Sequence, residues 1–281
     1  MIAVAGGTGR LGSRVVRRLA ASGLDVRVLT RDGARAQHLS ESAAEVVTCD
    51  VRDRAGMQAA LQGIALAVSA VHGFAGPGHV SPESVDRLGN ANLVDAAADV
   101  GADVVMLSVV GASAEHPMEL FRAKYAAEAH LRNSGVRWTI VRATAFVELW
   151  AEIMAKPIVF GRGENPINFV SVEDVSVVVE RAVIDARLRG AVIEVGGPQN
   201  LTFNQLAALI QNVRGRQAKV RHVPRGLLRA IAPLARQPRA AIAMDTIDMT
   251  FDVAAAGHAL VELPMTDIQI ALTQAVSGPS W

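Results

Sequence analysis

Gly7, Gly9 and Gly12 stand at the spacing G-x-G-x-x-G in Met1-Ile-Ala-Val-Ala-Gly-Gly-Thr-Gly-Arg-Leu-Gly12. That spacing points to the pyrophosphate of a dinucleotide. The first glycine allows a tight turn, the second lets backbone approach phosphate, and the third lets a helix pack close to a strand. The amides and positive dipole end of a helix opening near Arg10 then face the anion. The candidate cofactor cradle is Gly6, Thr8, Gly9, Arg10, Leu11 and Gly12. A charged group stands at the end of the next apolar run, in Leu29-Thr-Arg31. A basic residue there favours the 2′-phosphate of NADP, whereas an acid would favour NAD. Arg35, four residues on, is a second arm for a phosphate clamp. NADP(H) is thus the preferred cofactor and NAD(H) is admissible. Asp32 either pairs with Arg31 or serves a ribose.

These groups need a frame, and the chain supplies a repeated one. Strand-like runs at Ile2–Ala5, Val26–Thr30, Glu45–Cys49, Leu66–Val71, Val104–Val109 and Thr139–Arg142 alternate with helical periodicity. Repeated βαβ units imply a parallel sheet covered on both faces. Ser81-Pro82-Glu83 predicts a cap, a proline at the first helical position and an acidic first turn, for a helix that runs to about Asp99 and is ended by Gly101. Ser171 with Asp174 resembles a capping box opening a helix over Val175–Ala186, and Val192–Val195 reads as a further strand.

Composition bounds the function. The 281 residues are 51% hydrophobic and 20% charged, enough for a substantial core in one large or two unequal domains. A formal net charge of +1 and the absence of basic runs interleaved with aromatics argue against nucleic acid. Cys49 is the only cysteine and reads as a small buried hydrophobe rather than a reactive thiol; with a first strand starting at Met1, a cytoplasmic protein is expected. Gly226–Ala235 is too short to span a bilayer and is broken by Arg229 and Pro233, so it reads as a helix over a pocket or core, and no membrane partner is expected. The arginines at 225, 229, 236 and 239 favour either an anionic substrate or a solvated helix face. The histidines show neither HExxH nor Cys/His spacing, so no metal is expected, and G-x-S-x-G is missing.

Gly6-Gly-Thr-Gly-Arg-Leu-Gly12, Arg31, Cys49-Asp50-Val51, Val85-Asp-Arg-Leu-Gly-Asn90, Leu93-Val-Asp-Ala-Ala97, Leu107-Ser108, Lys124, Ser134-Gly135, Thr139-Ile-Val-Arg142 and Val170–Asp174 occur in a recognisable order. In order and spacing the chain resembles the NmrA-like, atypical short-chain dehydrogenase/reductase proteins over about residues 1 to 210. The resemblance implies an α/β fold: a Rossmann-like doubly wound parallel sheet with a smaller C-terminal α/β lobe. Residues 1–145, joined by about 168–197, would form the NAD(P)-binding domain, and the rest of 146–281 the substrate lobe. It also implies that Asp50 and Val51 lie beside the adenine, that Ser69, Ala70 and Val71 pass the ribose and nicotinamide, and that Lys124 bonds the nicotinamide ribose. Thr144 and Phe146 would border nicotinamide and substrate.

The wider superfamily uses Tyr-x-x-x-Lys on a helix, with both groups on one face. This chain has Leu120 four residues before Lys124, and its only tyrosine, Tyr125, points about 100° away around the helix. Tyrosine-driven alcohol oxidation is therefore not expected. Lys124 and Ser108 are the catalytic candidates. Ser108 could donate to a substrate carbonyl or satisfy backbone at a strand end, and Lys124 could instead pair with Glu128 four residues on. The loop His72-Gly-Phe-Ala-Gly-Pro-Gly-His79 follows the fourth strand, where open α/β sheets bind ligands. His72, Phe74 and Phe146 are the candidate substrate contacts. The leading expectation is an NADPH-dependent reductase of a small conjugated, quinone-like acceptor. The rivals are a non-catalytic NADP(H) sensor and a nucleotide-sugar epimerase or dehydratase. The chain is expected to act on a small molecule as a monomer or homodimer.

Overall fold

The structure is a computed structural model and describes residues 1–73, 80–216, 219–232, 236–252 and 265–277. Its strands are β1 (Ile2–Ala5), β2 (Val26–Thr30), β3 (Glu45–Thr48), β4 (Leu66–Ser69), β5 (Asp103–Val109), β6 (Trp138–Ala143), β7 (Ala145–Phe146), β8 (Ile158–Phe160), β9 (Pro166–Val170), β10 (Val192–Val195), β11 (Asn200–Thr202) and β12 (Arg221–Val223). Seven of them make one parallel sheet in the order β10-β6-β5-β4-β1-β2-β3. The chain reverses direction across the sheet between β1 and β4. In doubly wound sheets the crevice at such a switch point, outside the carboxyl ends of the strands, receives the ligand.

Both faces of the sheet are apolar, because helices cover both. On one side α1 (Arg10–Ala21) and α6 (Val172–Ile184) pack together and place Val15, Val16, Leu19, Val175, Val178 and Val179 on Val4, Val28 and Val105. On the other side lie α2 (Arg54–Ala60), α3 (Leu88–Val100) and α4 (Glu119–Asn133), over Ala3, Ala67, Val104 and Met106. A third cluster, around Phe169, Phe203, Leu206 and Ile210, fills the C-terminal region. It is built from α5 (Val147–Ile153), α7 (Phe203–Val213), α8 (Arg225–Ile231), α9 (Arg236–Met244) and α10 (Ile268–Ser277), with a β11-β9-β7 sheet and a β12-β8 ribbon.

Several local expectations shift. The helix signalled at Ser81 begins as a π-helical stretch over Pro82–Arg87, with reciprocal Ser81 and Ser84 caps, before α3 runs on to Gly101 in the left-handed conformation. Helix α6 starts at Val172, three residues before the expected Val175. Ser171 caps it through the Glu173 amide, but Asp174 does not complete a capping box. Its carboxylate instead accepts from the Thr266 amide and hydroxyl at 2.8 and 2.6 Å. A partner 92 residues away outcompetes the local one, because Asp174 is buried and must be satisfied where it lies. The Gly226–Ala235 stretch is helical as far as Ile231, with Leu228 buried, and residues 233–235 lie outside the described ones.

Candidate functional site

The glycine loop is built by contacts of the backbone itself. Gly6, with φ at +76°, makes the tight turn that the spacing assigns to Gly7, and a Cβ on it would lie 2.7 Å from the Ala70 carbonyl oxygen. Gly7 is not left-handed; its crowding comes from Val4 O and Val28, each 3.0 Å from a Cβ placed there. Gly12 does what its position requires. A side chain on it would strike Gly6 O at 2.1 Å, so only glycine lets α1 sit this close under the loop. Gly9 is the N-cap of α1 and offers no side-chain acceptor, which leaves the first-turn amides facing the crevice with the positive end of the helix dipole. Such an end can hold a pyrophosphate.

Around it the candidate residues divide. Thr8 turns its hydroxyl to Thr30 Oγ1 at 3.0 Å, tying the loop to the end of β2, and Leu11 is buried in the core, so both present backbone to the crevice. Arg10 forms an ion pair with Glu152 on α5. Arg31 and Arg35 are exposed, and among the described residues neither has an ion-pair partner. Asp32 neither pairs with Arg31 nor stands free, since it caps the following 3-10 turn by accepting from the Ala34 amide at 3.0 Å. Arg52 grips Asp50 in a fork and holds its carboxyl below the usual carboxylate range, with Arg31 adding a weaker pull. Val51 is buried against Gly89, and its carbonyl accepts from Asn92 at 2.9 Å. Cys49 is half-buried; burial, then Asp53 and Asp50, push its thiol up, which disfavours the reactive thiolate.

At the ends of β4 and β5 Lys124 belongs to a buried polar chain. Lys124, 3% exposed, donates to Val71 O at 3.0 Å and Leu107 O at 2.9 Å. Its Nζ also lies 3.0 Å from Asp86 Oδ1, in charge contact but out of line for a hydrogen bond. Asp86 Oδ2 accepts from the Gly73 amide at 2.7 Å, and the Asp86 carbonyl accepts from Asn90, whose Oδ1 receives the Ser69 hydroxyl at 2.5 Å. In this arrangement Lys124 clamps the exits of two strands, and Ser69 is committed to α3. The alternative surface pair with Glu128 does not form: Glu128 is buried and binds Arg142 at 2.7 Å and Arg132 at 3.1 Å. Tyr125 is exposed on α4. Ser108, 1% exposed, has no hydrogen-bond partner among the described residues, so the strand-end backbone does not use its hydroxyl.

A profile of the NmrA-like family matches residues 1–257. The chain belongs to that family. It is similar to the NAD(P)H azoreductase of Xenophilus azovorans, with 27% identity over 225 residues, 78% of this chain and 76% of that one. It is 26% identical to the photosystem II assembly factor Ycf39 of Synechocystis sp. over 242 residues, 84% of this chain and 74% of the other. Among solved structures, the NADPH-dependent quinone oxidoreductase QOR2 of Escherichia coli, complexed with NADPH, superposes with a TM-score of 0.78 at 21% identity, covering 99% of this chain and 100% of that one. That likeness supports the Rossmann-like fold.

The remaining candidates border the crevice from other elements. Ala70 is half-buried against Gly6. His72 stands at the open edge, yet the protein packed around its ring lowers its pKa; Asp86 opposes the shift, while Lys124, Arg10 and Arg31 reinforce it. Phe74 and His79 lie outside the described residues, as does the Arg236 side chain. Thr144 donates to Asn168 Oδ1 at 2.9 Å, and Phe146 is half-buried at the start of α5. Sequence reasoning missed Asp86, Asn168 and Glu148. Asn168 carries a signal, a lone amide between Ile167 and Phe169: it is buried and ties Thr144 to Gly197 and Asn200. Glu148 accepts from Ser171 Oγ and the Val172 amide at the start of α6. Asp86 carries no such signal, since an acid in a helix is ordinary until its burial is known.

Proposed function

We propose that the protein is an NADPH-dependent reductase of a small conjugated acceptor, quinone-like in chemistry, working without a tyrosine acid. The observation that carries this reading is the disposition of α4. Lys124 turns inward to two carbonyls and Tyr125 turns outward, so the phenol and ammonium of the superfamily's proton donor do not meet. Acceptors whose reduced form draws its proton from water suit such a site. The azoreductase and quinone oxidoreductase relatives support the same class.

The residues present fit the cofactor. The close packing that Gly6 and Gly12 allow sets the first-turn amides of α1 at the crevice, and Arg31 and Arg35, without an ion-pair partner among the described residues, stand after β2 for a 2′-phosphate. When bound, NADPH supplies the hydride. The chain does the rest: the loop and helix end hold the pyrophosphate, Lys124 and Asp86 fix the β4 and β5 exits, and Ser108 offers an unpaired hydroxyl to an acceptor oxygen. We assign residues 1–145 with about 168–197 to the cofactor domain and the rest of 146–281 to the substrate lobe. The strand β9 belongs with the lobe sheet, through β7 and β11, although α6 and β10 rest on the central one.

The test is NADPH oxidation across a panel of quinones, azo dyes and enones. Turnover with a conjugated acceptor is expected. NADPH binding with no turnover across the panel would favour the second reading, a regulatory NADP(H) sensor. That reading draws on the Arg10–Glu152 pair, which ties the glycine loop to α5 and which a bound phosphate would compete to break.

A further inference from the structure

Charge is unevenly spread along the chain. From Val195 to Met244 the sequence has no Asp or Glu but holds seven arginines and Lys219. With 28 Lys and Arg against 27 Asp and Glu in all, the other residues keep 20 cations against 27 acids, so a near-neutral total conceals a basic segment. Within it Arg225 is bound to Asp245, and Arg214 donates to Ala151 O. Arg216, Lys219, Arg221 and Arg229 are exposed, and among the described residues none has an ion-pair partner.

Apolar groups lie on the same stretch and on the strand paired with it. Strands β8 and β12 pair in parallel with Ile158 beside Arg221 and Phe160 beside Val223. Alternation sets these four on one face of the ribbon, opposite buried Val159, and Phe160 is 44% exposed. Pro224 leads directly into α8, where Leu227 and Ile231, four residues apart on one side of the helix, are 55% and 39% exposed, and Arg229 is exposed on the opposite, polar side. Exposed cations that have no ion-pair partner among the described residues, with exposed aliphatics on the same acid-free stretch and on the strand paired with it, match the headgroup boundary of an anionic bilayer. There the aliphatic groups enter the acyl edge and the guanidinium groups remain at phosphate. A second copy docked face to face would set cation against cation. A nucleic-acid strand, which stacks on aromatic rings, would leave Ile158, Leu227 and Ile231 uncovered.

We propose that the β8–β12 ribbon and α8 form a docking surface for anionic lipid, which holds the protein on a membrane face. No helix among the described residues is long and apolar enough to cross a membrane, so the contact is peripheral. It goes beyond the expectation of a small-molecule partner without a membrane and is independent of which acceptor is reduced.

The experiment is co-sedimentation of the full chain with vesicles of phosphatidylcholine alone, or with about one third phosphatidylglycerol to supply negative surface potential. Binding to the anionic vesicles only, weakening with salt, is expected. Each cation near the surface contributes about fivefold in partitioning, so Arg221→Ala with Arg229→Ala lowers binding about 25-fold. Leu227→Asn with Ile231→Asn lowers it too. All four changes are at exposed positions, and an unchanged NADPH titration verifies the fold of each variant. Equal binding to neutral vesicles, binding to neither, or undiminished binding by the arginine variant overturns the proposal. So does a dimer in light scattering that these substitutions dissolve, because a second copy would then cover the face.

Discussion

Replacing Lys124 by Met separates a clamp from a reacting group. The substitution keeps the length of the side chain but deletes two hydrogen bonds, to Val71 O and Leu107 O, and leaves the fully buried Asp86 carboxylate without its counter-charge. Removing one partner of a buried ion pair costs about 3 to 5 kcal/mol. At about 2 to 4 °C per kcal/mol for a large single chain, Tm falls by at least about 6 °C. Removing the second charge as well, in Asp86→Asn with Lys124→Met, relieves the stranded carboxylate and recovers about 1 to 3 kcal/mol. The assay is a double-mutant cycle of melting curves without cofactor, beside NADPH titration and steady-state rates for each variant. NADPH affinity is expected to change much less than stability, since Nζ faces carbonyls. A Lys124→Met protein that melts within about 2 °C of the parent yet loses about 100-fold or more in kcat would refute the clamp and make Lys124 a proton donor.

Arg31→Ala is expected to weaken NADPH binding about 10- to 100-fold, the worth of a charge-assisted hydrogen bond, and to leave NADH binding unchanged; equal losses for both coenzymes in calorimetry would remove the 2′-phosphate site. Ser108→Ala deletes a buried hydroxyl that has no partner, so stability holds or rises while kcat/KM for the acceptor falls about tenfold. Unaltered kcat/KM would take Ser108 out of the site. Burial raises the Glu148 carboxyl above the usual carboxylate range, against hydrogen bonds from its own amide, Val172 and Ser171. The folded state then binds the proton more tightly than the unfolded one, so this group's contribution is full at low pH and lost as pH rises through the folded pKa. Melting from about pH 4 to pH 7 should show parent stability falling relative to Glu148→Gln, and parallel curves would contradict the shift.

The frame was largely legible in one dimension. Strand β2 and β10 run over the expected residues, and Gly101 ends α3 as read. Apolar alternation, helical periodicity and turn chemistry act over a few residues, so they survive in a sequence. The NmrA-like resemblance rested on the same local marks, and the family match extends it over residues 1–257. Where two local readings competed the outcome was less secure. Gly6 and Gly7 are neighbours of the same type, and only the approach of Ala70 from β4 decides which one takes the left-handed turn.

Sequence alone determined the order of βαβ units, the glycine cradle, the arginine at the end of β2 and the missing Tyr-x-x-x-Lys, because each depends on spacing within one element or its turn. Tertiary structure decided the partners. Lys124 reaches Val71, Leu107 and Asp86 and not Glu128; Asp174 reaches Thr266; Ser108 reaches no partner among the described residues. A buried polar atom is matched by whichever group packing delivers to it, and those groups lie tens of residues away along the chain. The chemistry of this site therefore depends on which donors folding consumes and which it leaves open.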